Sequence, residues 1–154
     1  MKIKTTLEIN APAPAVWEVL GENFADVSEW ADSITKSSIN GPLGNGVVRT
    51  CDLKGFGPVA DGQVKEKMTH FDRESHTMTY IIVSGVPNLM KSIENAWRIE
   101  ALGDSQCLVT SQAVFNFKWW ALPLSLPMRI PLSRGVKEFI QQLSNQVEKT
   151  RLHI

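Results

Sequence analysis

Residues 132–147 read LSRGVKEFIQQLSNQV, and the fold turns on this stretch. Leu132, Val136, Phe139, Ile140, Leu143 and Val147 recur at i, i+4, i+7, i+8, i+11 and i+15, which is one stripe of an amphipathic helix. Lys137, Glu138, Gln141, Asn145 and Glu148 fall on the other side. The spacing predicts a helix of roughly twenty residues, about 30 Å long, enough to cross a whole sheet. A helix with one apolar stripe needs a partner surface, and the residues before it supply one.

At the N-terminus Ile3, Thr5, Leu7 and Ile9 alternate with Lys2, Lys4, Thr6 and Glu8, the period of a strand with one buried face. Pro12 and Pro14 end that strand and prepare a helix start. Val16, Trp17 and Leu20 then mark one short helix, and Asp26 with Glu29 three residues later resembles a capping box, predicting a second over 27–32. Strands follow at 34–40, 47–54, 62–71, 76–84, 92–102 and 107–118. Between them stand turn signals: Gly41-Pro42 with Gly44-Asn45-Gly46, Gly55-Phe56-Gly57-Pro58, Asp72-Arg73-Glu74, Gly85-Val86-Pro87-Asn88 and Gly103-Asp104-Ser105. Consecutive strands on short turns argue for an antiparallel meander. The expected architecture is α+β, one domain over 1–154, with no repeat or linker.

Composition narrows the function. The 154 residues are 43% hydrophobic and 21% charged, a globular balance able to bury a core without staples. Sixteen basic residues offset sixteen acidic ones, so the excess that a nucleic-acid binder needs is missing. Lys65–Lys67 and Lys149–Arg151 read as solvated faces, interrupted by Glu66 and flanked by Glu148. Cys51 and Cys107 match no metal or redox spacing, and reduced thiols are expected. No metal site and no cofactor are predicted. The segment MKIKTTLEINAP has no continuous apolar run, so no signal peptide is expected and the location expected is cytoplasmic. Residues 119–132, WWALPLSLPMRIPL, are too short to span a bilayer and are broken by three prolines and an arginine, so no integral membrane segment is predicted.

Order and motifs together resemble the START-like superfamily, also called SRPBCC or Bet v 1-like, and within it the polyketide cyclase/dehydratase-like branch. INAPAPAVWEVL (9–20) and DVSEWADSI (26–34) look like its first strand and helix pair. GVVRTCDLKGFGP (46–58) looks like its Gly-x-Val-Arg strand and following loop. VKEKMTHFDRESHTMTYIIVSGVPNLMKSIENAW (64–97) looks like its Glu-x-(Leu/Met) strand, acidic turn, Tyr-x-Ile strand and loop. The resemblance implies a helix-grip fold: a curved seven-stranded antiparallel sheet around the C-terminal helix, with a cavity between them. It implies no single activity, since members bind lipids, hormones or polyketides and some catalyse cyclisation. Two departures argue against the gating of the hormone receptors: the gate loop reads Lys54-Gly-Phe-Gly-Pro-Val59, and Ile93 stands where a tyrosine is usual.

The resemblance turns Arg49, Cys51 and Leu53 inward, and strand parity extends that face. It takes in Val64, Glu66, Met68 and His70, then Met78, Tyr80 and Ile82, then Ile93, Asn95, Trp97 and Ile99, then Val109, Ser111, Ala113 and Phe115. The helix adds Val136, Phe139, Ile140 and Leu143. The expected ligand-contacting set is Arg49, Cys51, Leu53, Glu66, Met68, Tyr80, Ile82, Ile93, Asn95, Ser111, Val136, Phe139 and Ile140. An apolar wall with sparse polar groups is how a small-molecule pocket is built.

Arg49 and Glu66 are expected to pair, since an isolated buried charge is costly; the pair either fixes register or meets the ligand. His70 is a candidate general base, weighed against a purely structural place near the Asp72 turn. Trp97 is expected in the core. Gly55, Gly57 and Pro58 suit a tight loop at the cavity mouth, and His76 and His153 are expected to be exposed. Residues 119–131 read as a loop: a lid over the mouth, or a homodimer contact through Trp119 and Trp120, or a membrane-surface contact. No Walker loop, HExxH, GxSxG or CxxC occurs.

Three functions follow: a binder of a small hydrophobic molecule (a lipid, isoprenoid or polyketide-like compound), a cyclase or dehydratase, and an interaction module. In the second, Glu66 or His70 would move protons beside Arg49; the third would act through 119–131. The absence of a catalytic constellation favours the binder.

Overall fold

The computed structural model describes residues 1–55 and 61–152. Seven strands form one antiparallel sheet: β1 (Lys2–Ile9), β2 (Ile34–Ile39), β3 (Val48–Leu53), β4 (Gly62–Asp72), β5 (Thr77–Ser84), β6 (Met90–Ala101) and β7 (Cys107–Phe117). Their order is β1-β7-β6-β5-β4-β3-β2, so the predicted meander runs from β2 to β7 and the first strand returns to pair with the last. Alternation is cleanest on β7, where Cys107, Val109, Ser111, Ala113, Phe115 and Phe117 are buried and the residues between them are not. Gly85 ends β5 at φ +88, where a Cβ would lie 2.3 Å from the Gln63 carbonyl oxygen, so only glycine lets this turn pack against β4.

Between β1 and β2 the chain makes α1 (Ala13–Trp17), a wider π-type turn (Glu18–Glu22) and a 3-10 segment (Phe24–Glu29). The second short helix therefore starts earlier than the expected 27–32 and ends at Glu29. Asp26 makes no cap; it lies inside the segment at φ −103, ψ 24. Burial of Phe24, Val27, Trp30 and Ala31 sets the conformation here, overriding the local capping signal.

The long helix α2 (Leu122–Leu152) has 31 residues, about 46 Å, and follows a 3-10 turn at Trp119–Ala121. The segment 119–131 is thus helical rather than a loop. Pro123 falls in the first turn, where its missing N–H costs nothing, while Pro127 and Pro131 lie inside the helix.

The inner face of α2 packs on two clusters. Ile140, Leu143 and Val147 join Trp17, Phe24, Trp30, Met68, Met78 and Trp97. Nearer the helix start, Met128, Leu132 and Val136 pack against Ile3, Met90, Ala113, Phe115 and Phe117. This sheet gripping a single long helix is the helix-grip fold. Cys51 and Cys107 are buried free thiols. His76 is half-buried rather than exposed: at φ 51 it stacks on Trp17, 5.4 Å between ring centres. The expectations for Gly57, Pro58 and His153 lie outside the described residues.

Candidate functional site

Where the two clusters meet, the space between sheet and helix is not filled. Along α2 Leu132, Val136 and Phe139 line that space, with the exposed Pro131 and Gly135 at its edge. Gly135 brings no side chain, and a Cβ built on it meets nothing within 4 Å. The cavity is about 330 Å³. Its sheet wall is Leu53, Val64, Ile82, Ile93, Ala113 and Phe115, carrying the polar groups of Arg49, Glu66, Tyr80 and Asn95.

Arg49 and Glu66 are register partners on β3 and β4, and both are buried. Glu66 Oε1 accepts from Arg49 Nε at 2.9 Å and lies 2.8 Å from Nη2, and it also accepts from Cys51 Sγ at 3.3 Å. Arg49 Nη1 donates to the Phe24 carbonyl at 2.9 Å, and the guanidinium carbon lies 3.7 Å from the Phe24 ring centre. All three guanidinium nitrogens thus have a protein partner. Burial is the largest single influence and works against the Arg49 charge, but the attraction and hydrogen bond of Glu66, together with Tyr80 and Cys51, offset it and hold the guanidinium above its ordinary range.

Tyr80 stands beside this pair. Its hydroxyl oxygen accepts from Trp97 Nε1 at 3.3 Å and from Asn95 Nδ2 at 3.4 Å, and Ser111 Oγ donates to Asn95 Oδ1 at 3.0 Å. Both contacts to Tyr80 deliver protons to it, so its own O–H has no acceptor among the described residues. Burial, with the Glu66 charge added, pushes the phenol up to about 12, and burial likewise pushes the Cys51 thiol up to about 12. Both groups are therefore neutral at physiological pH.

The structure gathers Arg49, Leu53, Glu66, Tyr80, Ile82, Ile93, Asn95, Val136 and Phe139 at the cavity, as the parity argument expected. Cys51, Met68, Ser111 and Ile140 are on the inward side but lie in the packed interior and do not line the cavity. Trp97 is buried in the core as expected, yet its ring also reaches the cavity wall.

His70 is a correction. A β-bulge shifts the register between Met68, opposite Tyr80, and His70, opposite Thr79, so pleat parity reverses along β4. Phe71 takes the inward side and packs 5.2 Å from Trp17. His70 is exposed on the outer face and shares a 2.9 Å hydrogen bond with Thr77 Oγ1. No general base enters the cavity from this position.

Of the three readings of 119–131, the lid over the mouth does not match the geometry. Trp119 is 79% exposed and Trp120 53%, and neither lines the cavity; of the segment 119–131 only Pro131 does. Sequence reasoning also missed Phe24, whose carbonyl and ring hold Arg49. Its one signal was a single large apolar residue within Glu22-Asn23-Phe24-Ala25-Asp26.

A family profile described as polyketide cyclase / dehydrase and lipid transport matches residues 1–148. The chain belongs to this family. Its fold is shared with solved structures of low identity. Norcoclaurine synthase from Thalictrum flavum, a point mutant in complex with a transition state analogue, is 20% identical, with TM-score 0.72 over 98% of this chain and 96% of that one. Ara h 8.0201 is 15% identical, with TM-score 0.79 over 97% and 98%. Major latex-like protein 151 from Panax ginseng is 17% identical, with TM-score 0.74 over 95% and 96%. These proteins are Bet v 1-like, and at such identities the likeness concerns the fold. No curated protein sequence matches the chain significantly. Members of this family commonly bind hydrophobic ligands.

Proposed function

We propose that this protein binds a small, largely apolar molecule carrying a carbonyl or similar oxygen, and that it does so without transforming it. The observation that carries the proposal is the state of Tyr80. Its hydroxyl oxygen already accepts two hydrogen bonds at the edge of an apolar cavity, and its own proton is uncommitted. A buried donor without an acceptor is costly, so a ligand oxygen placed there gains affinity from the mismatch. A lipid, isoprenoid or polyketide-like compound with one oxygenated end suits this wall.

Catalysis is less well supported. His70 lies outside the cavity, and the Arg49 nitrogens that would steady an enolate oxygen are engaged by Glu66 and Phe24. Of the three groups assigned to cyclase or dehydratase chemistry, only Glu66 Oε2 is uncommitted among the described residues.

The test is saturable uptake of the naphthyl ketone dye prodan, followed by its blue shift, with displacement by anthrone and by anthracene. Anthrone should displace better than anthracene, and Val136→Trp should abolish uptake. Failure of every probe to enter the folded wild-type protein would overturn the proposal.

A further inference from the structure

The N-terminal third of α2 is apolar on both sides. Ala121, Met128 and Leu132 face the core, which accounts for one side. On the other, Leu122, Leu126 and Ile130 form an outward stripe at i, i+4 and i+8, with Trp119 one turn before and Trp120 and Leu124 alongside. Leu126 is 80% exposed and Ile130 68%, so nothing among the described residues covers this ridge. A helix that is apolar all round is normally buried, and exposed ridges of this size mark contact surfaces.

Charge identifies the partner. From Ser105 to Lys137 the chain has no acidic residue, while Lys118, Arg129, Arg134 and Lys137 all fall within it. A surface groove places Lys91 and Arg129 next to Leu122 and Leu126. None of these five basic side chains forms an ion pair among the described residues. An apolar ridge with tryptophans at its start and unpaired cations beside it matches the headgroup and outer acyl zone of an anionic bilayer. A second copy fits less well, because a two-fold contact through one ridge would bring Lys91 and Arg129 of both chains together. Among the described residues no helix is long and apolar enough to cross a membrane, so the contact would lie along the surface.

We infer that the ridge Trp119–Ile130 docks this protein on the surface of an anionic phospholipid bilayer. The inference is independent of the cavity ligand. Pro131 and Gly135, which follow directly on the helix, line the cavity, so docking would set the cavity wall beside the lipid.

The experiment is flotation of the intact protein with phosphatidylcholine–phosphatidylglycerol vesicles and with pure phosphatidylcholine vesicles. Wild type should float with the anionic vesicles, release at high salt, and show blue-shifted tryptophan emission quenched by brominated lipid. Trp119→Ser with Trp120→Ser, and separately Arg129→Glu with Arg134→Glu, should each weaken binding by roughly tenfold or more. Since these side chains are exposed, far-UV circular dichroism and prodan uptake should not change. Wild type left unbound at low salt, variants that bind as well as wild type, or a dimer in ultracentrifugation that the tryptophan variants dissolve would each overturn the inference.

Discussion

A single carboxylate oxygen, Glu66 Oε1, faces both Nε and Nη2 of Arg49 across the β3–β4 pair, at 2.9 and 2.8 Å. Removing one partner leaves the other buried without its counter-charge. Glu66→Leu should therefore destabilise the fold by about 3–5 kcal/mol, whereas Arg49→Met with Glu66→Leu should recover most of that loss. Urea titrations of the three proteins check it; a double variant no better than the single would mean that the pair is not the source of the cost.

Tyr80 gives the second prediction. Tyr80→Phe removes one donor to the ligand and should weaken binding of a ketone probe roughly five- to tenfold, the value of one hydrogen bond of about 1–1.5 kcal/mol. Anthracene, which accepts no hydrogen bond, should bind as before. The variant should also lose some stability, because Asn95 and Trp97 lose their acceptor.

Gly135 gives opposite outcomes for two substitutions. Gly135→Ala meets open space and should stabilise α2 by about 0.5–1 kcal/mol. Gly135→Leu should set a larger side chain at the edge of the cavity and weaken prodan uptake while the protein stays folded. Thermal melts and dye titrations separate the two effects.

The alkaline limit follows from the raised groups. Tyr80 and Cys51 ionise near 10 and 9 in the unfolded chain but are held up to about 12 in the folded one. Raised acids favour folding while neutral, so their contribution is complete below pH 9 and declines between pH 9 and 12. Stability measured across that window should fall, and Tyr80→Phe should flatten the decline.

His70 provides the control. On the outer face with Thr77, it should be dispensable: His70→Ala should bind prodan as wild type does. Loss of uptake in that variant would place the bulge, and the inward set built on it, in error.

The meander was legible because each strand alternates and each turn carries glycine, proline or acidic residues. The helix stripe from Leu132 to Val147 was equally plain. What escaped was non-local. The bulge at Met68–His70 depends on Phe71 finding Trp17, and parity counted along one strand has no access to that contact. The helix start escaped because Pro123, Pro127 and Pro131 read as breakers, although one sits in the first turn and the others occupy an exposed stretch. Arg49, Glu66 and Tyr80 could be placed inward once the fold was in view. The void they border could not, because it depends on how side chains of the sheet and of α2 pack across from one another.

Pro127 and Pro131 have one more consequence. Neither can donate to the carbonyl four residues earlier, so the ladder along α2 lacks two rungs, at Pro123 and Pro127. The missing rungs fall just before the helix reaches the cavity, while Leu143 and Val147 clamp its far end. Bending the backbone there would break fewer hydrogen bonds than bending it elsewhere along α2, so strain at this point is absorbed without unwinding a turn.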